Sequence, residues 1–359
     1  MKKYRLVRVI VFCGLIAFGF VSILVEGNLY NGSLFESWQQ QRSMVENTID
    51  QGLPLHGAST AFWSTMGFLL FDDGPTEVVV GRNHHWLFTK ESFLNPPVNQ
   101  KYRAMTVDLL VRLGDAMHKR AVNLVVVLVP DKARLRTEQL GKERYPVGLT
   151  TRYSAVKTSL ETHGIKVVDL RSVLRMDNGL HKYFERDTHW TPHGAYRSAS
   201  VVASVSAYRG TVMYTIRTLS KICHRGDLTK LMALPSRLER HYLPCENIPF
   251  NVAETTMEPL ALPTTNPTVA VVGTSFSADP RWNFVGALKH WLNADVIDFS
   301  SKGRGFIEPL IRFLGDREAR QMNLELLLIE IPERYFDRPI PDAMLTSYSA
   351  ALTDFVKGP

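Results

Sequence analysis

The stretch RDTHWTPHG at residues 186–194 places Asp187, His189 and His193 within seven positions, and GTSFS at 273–277 places Ser275 just behind an apolar run. Two chemistries use such residues. A serine is a poor nucleophile until an imidazole takes its proton. The imidazole in turn needs a carboxylate that fixes its tautomer and stabilises its charged form. Asp187 and His189, two apart in a loop, can supply the carboxylate and the base, and Ser275 sits on a tight glycine-containing turn. Metal binding is the rival. His189 and His193 are four apart, a spacing that puts two ligands on one helix face. Pro192 opposes this, because proline is tolerated only in a helix's first turn and His189 must then precede the helix. No HExxH occurs, and a third ligand would have to come from elsewhere. The serine chemistry is favoured, and no metal or other cofactor is expected. The plain alternative is a polar loop in which Asp187 caps a turn and GTS is an ordinary strand-to-helix connection.

These residues need a scaffold, and the chain from Gln100 onward reads as α/β. NLVVVLVP, IKVVDL, TVAVVG, ADVIDFS and LELLLIEI are short apolar runs, as expected of parallel strands buried on both faces. Helical patterns lie between them, including TPHGAYRSASVVASVSAY, where Thr191 can cap the helix and Pro192 fits its first position. A second helix is expected to follow GTSFS from about Asp279-Pro280. The fold class is thus a mostly parallel five-stranded sheet covered by helices on both faces. Ligands bind beyond the carboxyl ends of such strands. GTSFS, SKGRG, PERYF and PDKARL all fall there. Gly303 and Gly305 could aim backbone N–H groups at an oxyanion. Arg304, Arg334, Lys132 and Arg134 could meet a polyanion or form structural ion pairs. Upstream, TEVVVGRNHHWLF reads as a β-hairpin. Residues 208–267 lose the α/β rhythm and read as an irregular insertion.

The chain has 359 residues, 45% hydrophobic and 21% charged, enough for a sizeable core without repeats. Lys2, Lys3, Arg5 and Arg8 precede 17 uncharged, mostly apolar residues from Val9 to Val25. A basic flank, this length and no clear cleavage site together read as an uncleaved signal-anchor, with the chain from about Gly27 outside the cytoplasm. Taking that flank and Glu26 out of the net charge of +7 leaves +4, too mild an excess for nucleic-acid binding. Of three cysteines, Cys223 and Cys245 lie beyond the apolar run. An oxidising compartment would let them pair, with two separate thiols as the alternative.

DTHWTPHG followed about ninety residues later by VVGTSFS resembles the alginate O-acetyltransferases of the AlgJ/AlgX type, in the SGNH-hydrolase-like superfamily. VVVGRNHHWLF, VPDKARL and IEIPERYF support the resemblance, which runs from about residue 70 to 340. His84 and His85 depart from the family's more usual turn. The chain ends soon after its last strand, which favours the AlgJ-like branch. The resemblance implies Ser275 as nucleophile, His189 as general base and Asp187 as its orienting carboxylate. Gly303, Gly305, Arg304, Arg334 and Trp190 are candidate oxyanion or substrate contacts.

The expected organisation is a cytoplasmic tip and signal-anchor helix at 1–26 and a helical stalk or arm at 27–69. An SGNH-like acetyltransferase domain follows at 70–345, then a tail at 346–359. The expected activity is transfer of acetyl groups, through an acetyl-serine, to hydroxyls of an exported bacterial polysaccharide, alginate or a similar exopolysaccharide. As the resemblance implies, the acetyl donor would be an integral membrane acyl-transfer protein, and other polysaccharide secretion components would be partners. The location would be the inner membrane, with the catalytic domain in the periplasm. A carbohydrate acetylesterase with the same triad and a non-catalytic scaffold of a secretion complex are the competing readings.

Overall fold

A computed structural model describes residues 56–95, 99–175, 179–256 and 267–357. The expected anchor at 9–25 and the first part of the stalk lie outside them. Among the described residues, no helix is long and apolar enough to cross a membrane. The chain divides into two compact units. The described part of the first is helix α1 (His56–Phe71) with residues 233–236; the second holds the rest.

The second unit opens with β1 (Val78–Val80) antiparallel to β2 (Leu87–Thr89), the expected hairpin. Asn83 and His84 take left-handed backbone conformations between them, with φ of 55° and 59°. Next come α2 (Asn99–Lys119), β3 (Asn123–Val129), α3 (Arg152–Thr162) and β4 (Lys166–Asp169). α4 (Pro192–Ser206) begins as its sequence foretells: Pro192 holds the first position, and the Thr191 side chain accepts the Gly194 N–H at 3.1 Å. Then follow β5 (Tyr214–His224), β6 (Glu246–Thr255), β7 (Val269–Val272), α5 (Phe284–Leu292) and β8 (Val296–Asp298). α6 (Ile307–Gly315), β9 (Leu326–Pro332) and α7 (Asp342–Lys357) complete the unit.

The sheet order is β4-β3-β9-β7-β8, and every pairing in it is parallel. Alternate residues of each strand serve opposite faces. Leu124, Val126 and Leu128 of β3 pack toward α2, α3, α6 and α7, while Val125 and Val127 pack toward α4 and α5. Each fully buried Val or Leu contributes roughly 1.5–3 kcal/mol. The unbroken apolar runs are therefore what makes this sheet central. Because the strands are parallel, their carboxyl ends share one edge, and the chemistry-bearing loops share it with them.

Three expectations need correction. Residues 208–267 are not irregular in their described part. β5 and β6 form a two-stranded antiparallel ribbon, linked by a Cys223–Cys245 disulfide that closes a loop worth about 3 kcal/mol in the chain-entropy account. The boundary at 345/346 cuts through α7, whose Tyr348 and Phe355 are core residues, so no separate tail begins there. The helix after GTSFS starts at once: Ser275–Ala278 is one helical turn capped by Thr274, and α5 begins only at Phe284. Pro280 cannot extend the first turn, and Asn283 at φ 53° restarts the chain in a new direction.

Candidate active site

The turn that carries Ser275 is held from below. Glu330, fully buried on the central strand β9, accepts the Thr274 N–H at 2.8 Å and the Ser277 hydroxyl at 3.0 Å. Burial pushes its carboxyl up to about 7, against those hydrogen bonds. A Cβ at position 273 would lie 2.6 Å from a Glu330 carboxylate oxygen, so only glycine lets the chain pass so close. Ser275 then opens the helical turn, and the Trp282 indole N–H fixes its carbonyl at 3.0 Å.

The loop that carries His189 is held by Lys132. Its buried ammonium donates to the carbonyls of Phe184, Glu185 and Asp187 at 3.0, 3.1 and 2.7 Å. Burial lowers its pKa to about 8, against the pull of Glu246 and Asp187. Arg134 grips Glu333 through two nitrogens, both at 2.7 Å. Arg152 bridges Glu333 and Asp131, and Arg334 donates to Asp131 at 2.9 Å. PDKARL and PERYF are thus two halves of one buried ionic lock between the ends of β3 and β9. Lys132 and Arg134 take the structural role, each spent on these bonds.

The two segments meet. Ser275 Oγ lies 2.7 Å from His189 Nε2, and His189 Nδ1 lies 2.5 Å from Asp187 Oδ1. Asp187 Oδ1 also accepts the His189 backbone N–H at 2.9 Å. Its Oδ2 accepts from His224 Nε2 and from the Asp227 N–H, each at 2.9 Å. Burial alone would raise the pKa of Asp187. The hydrogen bonds from His189 and His224 override it and hold the carboxyl well below its ordinary value. Its ionised form therefore makes Nδ1 the donor and leaves Nε2 free to accept the serine proton. Trp282 stacks on the His189 ring at 5.2 Å and 25°, and the tilted Phe276 ring lies 4.7 Å from it.

Asp187, His189 and Asp227 also form a group with metal-ligand atoms close together. Asp187 already accepts four donors, and His189 Nδ1 sits at proton-sharing distance from it. A cation would have to break those bonds to enter. Asp227 faces Thr188 instead, accepting its backbone N–H at 2.8 Å and its hydroxyl at 2.5 Å. Burial, and then the charge of Asp187, raise the Asp227 carboxyl above its ordinary value.

A cavity of about 570 Å³ opens over the hydroxyl, lined by His189, Ser275, Asp227, Lys90, Arg334 and Tyr335. Arg334 is the one outlying candidate brought to it. Trp190 is not: it is fully buried, and its indole N–H is spent on the Phe276 carbonyl at 3.0 Å, so it backs the site without touching substrate. Gly303, Arg304 and Gly305 do not line the cavity either. The two glycines take φ of 72° and 64°, which the turn demands, and Arg304 pairs with Glu308 in solvent. His193 lines a separate cavity of about 760 Å³ with Tyr196 and His290, one that contains neither Ser275 nor His189. His224 and Asp227 went unnoticed in the sequence. They lie in the segment without rhythm, and only the neighbouring Cys223 marked their place.

The family model for the "SGNH hydrolase-like domain, acetyltransferase AlgX" matches residues 78–333. The probable alginate O-acetylase AlgJ of Azotobacter vinelandii is 31% identical over 304 residues, covering 81% of this chain and 77% of that one. The solved O-acetyltransferase domain of Pseudomonas putida AlgJ superposes with a TM-score of 0.67 at 26% identity, over 76% of this chain and 99% of that one. Pseudomonas aeruginosa AlgX shares the fold, with a TM-score of 0.61 at 23% identity over 77% of this chain and 66% of that one.

Proposed function

The chain belongs to the AlgX family of SGNH hydrolase-like acetyltransferases, and from that premise we propose that it acetylates an exported polysaccharide through an acetyl-serine at Ser275. The curated relatives, named as alginate O-acetylases, make it a polysaccharide O-acetyltransferase. The observation that carries the mechanism is the continuous relay Ser275–His189–Asp187 at 2.7 and 2.5 Å.

Ser275 Oγ attacks the donor's acetyl carbonyl as its proton passes to His189 Nε2. The Asp187 carboxylate stabilises the imidazolium. The tetrahedral oxyanion forms in the cavity that Arg334 lines, its guanidinium already paired with Asp131. As it collapses, the donor leaves with the proton from His189, and acetyl-Ser275 remains. A sugar hydroxyl then gives its proton to the same Nε2 and attacks the ester, which frees Ser275. The acetyl donor is an integral membrane acyl-transfer protein, and the chain works with other components of a polysaccharide secretion complex. Residues 9–25 anchor it in the inner membrane with the catalytic unit in the periplasm; the basic flank of the apolar run supports this.

Charge supports a polyanionic acceptor, alginate or a related uronate polymer. A cavity of about 610 Å³ is lined by Arg82, Arg144 and Arg175, and none of the three has a carboxylate partner among the described residues. Lys90 in the catalytic cavity and Glu143 in this one meet at 3.1 Å, so the two cavities share a wall. Purified protein given an activated acetyl ester and oligouronate should place acetyl on the sugar faster than it releases acetate. Arg82→Gln/Arg144→Gln/Arg175→Gln should raise KM for the oligomer and flatten its salt dependence, while turnover of the ester alone is kept. Release of acetate unaffected by acceptor would make the chain an esterase. Equal use of a neutral oligosaccharide would remove the polyanion reading.

A further inference from the structure

The residue after Cys223 touches neither the nucleophile nor the base, yet it stands behind both. His224 ends β5, is 3% exposed, and lies against Phe184 at 4.6 Å and Trp282 at 5.3 Å. Its two nitrogens face different partners. Nε2 is 2.9 Å from Asp187 Oδ2, and Nδ1 is 3.1 Å from an Arg281 guanidinium nitrogen. A guanidinium can only donate, so Nδ1 must accept and Nε2 must carry the proton in the neutral ring. His224 is therefore an N–H donor to the catalytic carboxylate, with its tautomer set from outside. Arg281 is itself fixed: it pairs with Asp279 through two nitrogens and lies over the Trp282 ring at 4.7 Å.

We propose that His224 is a positioning residue for acyl transfer. It holds Asp187 ionised and turned so that Oδ1 faces His189, with Arg281 setting the His224 tautomer. The proposal rests on the triad reading of Asp187, His189 and Ser275. Without His224, Oδ2 keeps a single donor, the Asp227 N–H. The buried carboxylate then loses one of the bonds that offset its desolvation, and the imidazolium loses part of its counter-charge. The ribbon's geometry serves the same loop. Glu246, the cross-strand partner of His224, accepts the backbone N–H groups of Glu185 and Arg186, each at 3.1 Å. The Cys223–Cys245 disulfide lies directly beside this pair, so the root of the ribbon grips residues 185–187 at three points.

The test is a double-mutant cycle on acetyl-enzyme formation from a small acetyl ester, with folding checked by thermal melting. His224→Phe should slow the step about 10–100-fold, the scale of one lost charge-assisted hydrogen bond, with KM for the ester held within about twofold. His224→Gln, whose amide can both donate to Asp187 and accept from Arg281, should keep most of the rate. In an Asp187→Asn background His224→Phe should cost nothing further, because the group it acts through is gone. Arg281→Met, which leaves Asp279 its ion pair with Lys302, should give a smaller loss that also vanishes in that background. It reads the same coupling should His224→Phe fail to fold. A full rate in His224→Phe, with Ser275→Ala inactive and Asp187→Asn slow, would overturn the positioning role and leave the triad standing. Losses that multiply with Asp187→Asn would overturn it as well. An Asp187→Asn enzyme as fast as the parent would instead bring down the triad reading, and this proposal with it.

Discussion

Four donors converge on the two oxygens of Asp187, while the imidazole it orients has one free task, at Nε2 toward Ser275. On the proposed mechanism, His189→Ala should therefore cost at least about 10²–10⁴-fold in turnover of an acetyl ester, the usual scale of general base catalysis. His193→Ala should stay within a few-fold of the parent, since His193 lines a different cavity. Equal losses in the two variants, read from initial rates, would count against His189 as the base. The contrast was legible in the sequence because Pro192 marks the helix start and separates the two rings. The other residues of the site were not legible in the same way. Trp190 was a candidate oxyanion or substrate contact, but its backbone position turns it into the core. His224 and Asp227 reach Asp187 across about forty positions, and no local pattern encodes a contact of that range.

The elements divide by how each one's burial is achieved. The five strands of the sheet are covered on both faces and carry unbroken apolar runs, so each stood out in the sequence. In the ribbon, β5 is largely exposed and β6 half-buried, and neither carries such a run. The ribbon's register comes from cross-strand pairing and the disulfide, both non-local. β9 also carries the least expected group, Glu330 beneath the nucleophile turn. Its folded pKa is raised from 4.5 to about 7, so the stability tied to its protonated form is full below about pH 4.5 and is lost as pH rises through about 7. Glu330→Gln cannot titrate. The melting temperature of the parent minus that of Glu330→Gln should thus fall as pH rises from about 4.5 to about 8, by on the order of a few degrees. A difference that stays flat across this range would show that Glu330 does not ionise there.

At the scale of the whole molecule, parallel strands bring to one edge two segments 86 positions apart in the chain, and the proposed chemistry depends on that junction. Membrane anchoring rests on the sequence of residues 1–26 alone. Mature protein from membranes should keep its basic N-terminus on Edman sequencing. A first residue near Gly27 would mean a removed signal and a free periplasmic enzyme. On the proposed mechanism, Ser275 carries the acetyl group. Intact-mass spectrometry after brief exposure to a chromogenic acetyl ester tests it most directly. The parent and the slow Asp187→Asn variant should each gain the mass of one acetyl group, localised by peptide mapping to the turn 273–278, and Ser275→Ala should gain none. Acetylation of Ser275→Ala at the parental rate, or a parent that turns over ester without ever carrying an acetyl group, would contradict the account.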